Sequence, residues 1–221
     1  MCCGRRIIQR GGWDICLAIS NDYFYIVDIH ELRKIFPAFA LVSEEAWTDL
    51  CSLFEIKELK RNEFLFREGD RPHHGSILLK GVLRVFYTRA DGVEYNKNFF
   101  VPGMSPTPIT ALTTGQPCAI SFQALTDAEL AMFNFSKFMA LTHQHASLNM
   151  MYRTILEQLW AHKEKQEIQM VTNDAITNYK IFREQFPGLE QEIPQYHIAS
   201  YLGITPIQLS RIRAQMSKTT S

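Results

Sequence analysis

The chain has no excess of charge of either sign: 23 Lys and Arg balance 23 Asp and Glu over 221 residues. A protein that binds polyanions over its whole surface is excluded, but a small basic module within a neutral chain is not. There is no C-x-x-C pair. The five cysteines, at positions 2, 3, 16, 51 and 118, are scattered and odd in number. That excludes a zinc ribbon and a thioredoxin-type dithiol, and argues against a disulfide scaffold in a chain of this size. No apolar run reaches the ~18 residues needed to cross a bilayer. The basic start, with Arg5, Arg6 and Arg10, lacks the apolar core of a signal peptide, because Asp14, Asn21 and Asp22 interrupt the stretch after it. The expectation is a cytoplasmic protein with reduced thiols and no membrane partner. Residues 1–28 differ from the rest and read as an extension of uncertain order.

What is present falls into three parts. Between Glu31 and Leu53 apolar residues recur at helical spacing (Leu32, Ile35, Phe36, Phe39, then Leu41), and Ser43 stands as an N-cap before Glu44 and Glu45. Trp47, Leu50, Leu53 and Phe54 mark the face of that second helix. From Ile56 to Phe133 the pattern shifts to short alternating runs. The expected strands are 63–66, 77–80, 82–87, 94–100, 119–125 and 129–133. Glycines at 69, 81, 92 and 115 punctuate them, and Asp91-Gly92 is a hairpin signal. Three prolines between Pro102 and Pro108 make that stretch a loop. The pattern predicts an α+β chain: a jelly-roll or cupin-like β-roll over 29–146 with flanking helices, a long helix over 147–170, and an all-α domain over 171–221.

Ser136–His145 reads as a short helix. In the long helix, Leu148, Tyr152, Ile155 and Leu159 lie near a heptad register that His162 and Gln166 continue. Such a stripe either packs on its own β domain or pairs with a second copy across a two-fold axis. A further helix from Asp174 stops at Pro187-Gly188.

The last segment is the most specific. Pro194-Gln195 opens a short helix, Gly203 breaks it, and Thr205-Pro206 restarts the chain with a fitting N-cap and first residue. Ala199 supplies the small residue needed where two helices cross, and Gly203, four positions on, supplies tolerance of left-handed backbone. Ile198, Leu202, Ile204, Leu209, Ile212 and Met216 fill the apolar positions. This is the spacing of a helix-turn-helix. From Ile193 to Ser221 there are Arg211, Arg213 and Lys218 and no acid, a local charge of +3, which suits neutralising phosphates. The expected DNA-binding residues are Thr205, Gln208, Ser210, Arg211, Arg213 and Gln215. Gln208 and Arg211 are placed for base edges, Thr205 and Ser210 for phosphate.

Three stretches together resemble the Crp/Fnr family of transcription regulators. They are Phe64-Leu65-Phe66-Arg67-Glu68-Gly69-Asp70, Leu79-Lys80-Gly81-Val82-Leu83-Arg84-Val85, and Ile198-Ala199-Ser200-Tyr201-Leu202-Gly203-Ile204-Thr205-Pro206 with Leu209-Ser210-Arg211-Ile212-Arg213. The resemblance covers roughly residues 31–218. It implies a homodimer on a two-fold duplex DNA operator, joined through the long helix, with RNA polymerase as a further partner. It also implies a small-molecule effector pocket, with Thr107, Pro108, Thr110, Cys118 and Ala119 at the effector positions. In nucleotide-binding members a Gly-Glu pair and an Arg-Ser/Thr pair hold the ribose and the cyclic phosphate. Here Thr107-Pro108 and Cys118-Ala119 occupy those positions, so this chain is placed in a subgroup without the phosphate cassette and is not expected to bind cyclic AMP in the usual way.

The cysteines lack the clustered spacing of the iron–sulfur branch. His73, His74, His143 and His145 read as surface residues rather than haem ligands, and no cofactor is expected. The chain stops soon after the second helix of the motif, without the wing that the resemblance implies, which is expected to weaken its hold on DNA. Two rival readings stand beside the regulator. One is a cupin-like sensory module acting through a protein partner. The other is a metal-dependent enzyme, which would need histidines inside the roll, and the expected strands contain none.

Overall fold

The computed structural model describes residues 8–10, 13–15 and 32–219. The expected extension over residues 1–28 lies outside the described residues, except for two paired strands, β1 (Ile8–Arg10) and β2 (Trp13–Ile15).

The apolar run from Leu32 is helical, but broken. Pro37 cannot donate to a continuing helix, so α1 (Leu32–Ile35) gives way to a 3-10 turn over Pro37–Leu41. α2 (Glu44–Cys51) begins where expected, with the Ser43 hydroxyl accepting from Ala46 N–H. It ends earlier than its apolar stripe suggested. Phe54 belongs not to α2 but to a strand that the alternation did not mark, β3 (Phe54–Leu59). Glu55, Lys57 and Glu58 give that stretch too much charge for an alternating run to stand out, and β3 is an edge strand with four of its six residues exposed.

The remaining strands are β4 (Phe64–Phe66), β5 (His74–Lys80), β6 (Leu83–Thr88), β7 (Glu94–Phe100), β8 (Ser121–Ala124) and β9 (Ala128–Asn134). They form two antiparallel sheets, β3-β9-β5 and β4-β8-β6-β7. Strand β5 starts earlier than expected and takes in His74, so the strands do hold a histidine, although an exposed one. The tight turn after β5 requires Gly81. Its φ is +87°, and a Cβ there would lie 2.3 Å from the Asp127 carbonyl oxygen. The proline-rich loop leads into a short helix, α3 (Ile109–Thr114).

Then come α4 (Phe135–Gln144), α5 (Ala146–Thr172), α6 (Ala175–Gln185, capped by Asp174), α7 (Leu189–Glu192), α8 (Gln195–Tyr201) and α9 (Pro206–Thr219). At 27 residues, α5 extends about 40 Å.

Three apolar clusters tie these parts together. Alternation along β5 sends Leu78 into the roll with Leu130 and Phe122, while Ile77 and Leu79 face the helices α2, α4 and α5. The third cluster lies on the outer face of the four-stranded sheet. Val82, Phe99 and Leu125 of the roll meet Tyr179, Phe182, Phe186, Ile198, Leu209 and Ile212 of the C-terminal helices. The helical domain is therefore packed onto the roll rather than hanging from α5.

A candidate nucleic-acid interface docked on a β-roll

Helices α8 and α9 cross as the sequence spacing requires. Ala199 is 1% exposed, Leu209 0% and Ile212 8%. Gly203 has φ +67°, and the turn is closed by Ile204 N–H donating to the Ala199 carbonyl at 3.0 Å. Thr205 caps α9 in a reciprocal pair. Gln208 N–H donates to the Thr205 hydroxyl at 3.2 Å, and the Gln208 side-chain oxygen accepts from Thr205 N–H at 2.9 Å. This is a capping box with glutamine at the third helical position.

The residues assigned to DNA sort by exposure. Thr205, Gln208, Ser210, Arg211 and Gln215 are exposed. Gln208, Arg211 and Gln215, spaced by three and four, share one face of α9. Arg213 stands apart: it is half-buried and lines a groove with Tyr179, Arg183 and Glu190. Gln208 is also committed to the cap through its side-chain oxygen, which leaves Arg211 as the cationic side chain presented outward at the middle of α9.

Behind this face is a polar contact the sequence did not reveal. Arg84 on β6 is 6% exposed. Its Nε and Nη2 both donate to the Gln123 side-chain oxygen, at 2.9 and 2.7 Å, and its Nη1 donates to Glu94 Oε2 at 2.6 Å. The same Nη1 lies 3.4 Å from Nδ1 of His197 on α8. Asn96 bridges the pair: its Nδ2 donates to the His197 carbonyl at 2.9 Å, and its backbone N–H donates to the Ser200 hydroxyl at 3.0 Å. Ser200 in turn donates to the Glu94 carbonyl at 2.9 Å. Burial, and then the charges of Arg84 and Arg61, push the His197 pKa down to about 4. At neutral pH the imidazole is uncharged, and its Nδ1 accepts from the groups around it. Strand alternation placed Arg84 outside the roll, but no local signal showed that α8 would cover it.

The five expected effector positions differ in their surroundings. The Thr107 hydroxyl accepts from Ser76 N–H at 2.9 Å and donates to the Ser76 carbonyl at 3.1 Å, which pins the loop to β5. Pro108 is buried at the start of α3, and Thr110 and Ala119 are exposed. Cys118 is in the roll's apolar core at 4% exposure, its thiol pKa raised by burial and by Asp70.

The long helix also differs from its expected role in detail. Leu148 is fully buried, and Tyr152 and Ile155 pack on the same cluster within the chain. Of the four positions assigned to a dimer seam, Leu159 alone is largely exposed, at 45%. The exposed apolar residues of α5 are instead Met150, Leu159, Trp160, Ile168, Met170 and Val171, with Trp160 at 70% and Val171 at 87%. His145, expected at the surface, is mostly buried, with Nε2 2.8 Å from Asp49. Among the described residues no three His, Cys, Asp or Glu are grouped to hold a metal ion, and no helix is long and apolar enough to cross a membrane.

Residues 56–145 match the family of cyclic nucleotide-binding domains. No curated protein matches the chain. Among solved structures, the chain is similar to FixK2 from Bradyrhizobium japonicum, with TM-score 0.65 and 15% identity over 76% of this chain and 86% of that one. A CooA mutant from Carboxydothermus hydrogenoformans aligns with TM-score 0.63 and 15% identity, over 88% of this chain and 86% of the other. The catabolite activator protein of Thermus thermophilus aligns with TM-score 0.52 and 19% identity, over 83% and 88%. The match over residues 56–145 and these likenesses show a cyclic nucleotide-binding-like β-roll followed by helices, the fold shared with those solved structures.

Proposed function

We propose that the protein is a sequence-specific DNA-binding transcription regulator of the Crp/Fnr type, working as a homodimer and without cyclic AMP. The observation that carries the reading is the α8–α9 pair. Its crossing is closed by buried Ala199, Leu209 and Ile212, and its outward face carries Gln208, Arg211 and Gln215 in an acid-free segment. Arginine and glutamine on such a face are the side chains that pair two-pronged with guanine and adenine in the major groove. Dimerisation is supported by α5, where Trp160 and Val171 lie three turns apart along one line, flanked by Ile168 and Met170. An exposed apolar surface of that kind on a long helix calls for a partner helix. Independence from cyclic AMP is supported by Cys118 and Ala119 at the phosphate positions. RNA polymerase is the further partner such a regulator would contact.

The test is titration of a mixed-sequence duplex at low salt, monitored by fluorescence anisotropy. The wild-type protein should bind, with affinity falling steeply as salt rises. Arg211→Ala, which removes the cationic side chain placed for base edges, should weaken binding by about 1–3 kcal/mol at sites that offer the matching base. A duplex affinity that neither salt nor Arg211→Ala alters would refute the reading, and would favour the rival in which the roll acts through a protein partner.

A further inference from the structure

Beneath α5, where it faces the roll and the C-terminal helices, lies a cavity of about 270 Å3. Its walls are mostly apolar and include Phe54, Phe133, Phe138, Met151, Ile155 and Phe186. No Asp, Glu, Lys or Arg lines it; of the expected effector positions Thr107 lines it, and Pro108, Thr110, Cys118 and Ala119 do not. Among the described residues, two buried side-chain polar atoms have no hydrogen-bond partner, Asn98 Oδ1 and His162 Nδ1. Both residues line this cavity. A buried polar atom without a partner is destabilising, and such atoms are few in folded proteins. Two of them on residues that line one apolar cavity point to a ligand that satisfies both.

The chemistry of that ligand is set by the surroundings. His162 Nε2 lies 3.4 Å from Gln185 Nε2. An amide nitrogen donates, so Nε2 accepts, and Nδ1 carries the proton and donates. Asn98 Oδ1 accepts. The ligand's polar end must therefore accept one hydrogen bond and donate another, as a hydroxyl or a carboxamide does. With no cation in the wall, an anion would be buried without a counter-charge, which disfavours a cyclic nucleotide or any free carboxylate. A cavity of about 150 Å3 holds benzene, so this one suits two fused rings or a chain of about ten carbons. We propose that the cavity is a binding site for a small, neutral, largely apolar molecule with a hydroxyl or amide head, held by Asn98 and His162. Its walls join the roll, α5 and, through Gln185 and Phe186, the end of α6. An occupant would bias how these parts are arranged. The site does not depend on the DNA-binding reading, and its test uses no DNA.

The experiment is isothermal titration of the full chain with 2-naphthol and with naphthalene, which lacks the head. Wild type should bind 2-naphthol with a dissociation constant of about 10–100 µM and naphthalene more weakly. Asn98→Leu should weaken 2-naphthol by about tenfold while leaving naphthalene within about twofold. Ile155→Trp, which fills the cavity, should abolish both, with circular dichroism confirming the fold. If Ile155→Trp fails to fold, the ratio of the two affinities in Asn98→Leu decides. The proposal is overturned if wild type shows no saturable 2-naphthol binding, if Asn98→Leu binds both molecules as wild type does, or if folded Ile155→Trp still binds them.

Discussion

Arg84 and His197 lie 113 positions apart in sequence and form the centre of the contact between the roll and the α8–α9 pair. A buried arginine is tolerated because Gln123, Glu94, Asn96 and His197 surround it. Arg84→Met should lower unfolding free energy by about 3 kcal/mol, read by denaturant titration, since it strands the groups that Arg84 satisfies. His197 makes the same contact sensitive to acid. Its pKa is depressed in the folded state, from 6.5 to about 4. The unfolded chain therefore binds the extra proton first. The stability associated with a neutral His197 is fully present above pH 6.5 and is lost as pH falls toward 4. Thermal midpoints measured from pH 7 down to about 5, above the range where most carboxylates titrate, should fall in wild type and fall less in His197→Gln. Equal slopes would show that His197 does not report on the contact. None of this was legible in the sequence, because a histidine inside a helical motif carries no mark of the strand that will cover it. Arg211 was legible, because helix periodicity alone sets it opposite Leu209 and Ile212.

The elements with the strongest local chemistry were the ones the sequence defined best. Thr205-Pro206 marks the start of α9 because each residue suits its position before any tertiary contact forms. Thr205→Ala removes the cap hydroxyl and should cost about 1 kcal/mol of stability, measured by thermal or urea unfolding, whereas exposed Arg211→Ala should change stability little. Elements whose identity depends on their neighbours were less legible. Pro37 divides a run whose apolar spacing suggested one helix. β3 is defined by pairing with β9, Leu59 opposite Ala128 and Phe54 opposite Phe133, not by its own charged sequence. On α5, heptad spacing picked out Leu148, Tyr152 and Ile155, yet the roll takes them into its own core. Spacing identifies an apolar face without saying which surface it meets. If the exposed line through Trp160 and Val171 is the dimer seam, Trp160→Glu should give a monomer by analytical ultracentrifugation with its helical signal retained. A Trp160→Glu dimer would place the seam elsewhere.

At the scale of the whole molecule, the α+β architecture was legible from hydrophobic periodicity and turn glycines, and the packing of the C-terminal helices on the roll was not. That packing makes the roll more than a spacer. Phe99 contacts Phe182, Phe186 and Tyr201 at ring centroid distances of 5.5–6.1 Å, so a change in β7 would be felt directly beneath α8. The loop after β7 and the cavity under α5 thus lie a short way from α8 through these rings. For the proposed independence from cyclic AMP, titration calorimetry should detect no binding up to millimolar nucleotide, and micromolar binding would contradict that proposal. The central claim, that the α9 face reads DNA sequence in a two-fold complex, is tested most directly by selecting bound sequences from a random duplex pool with wild type and Arg211→Ala in parallel. The account predicts an enriched inverted repeat that the variant fails to enrich. An unenriched pool, or the same sequences recovered by both proteins, would contradict it.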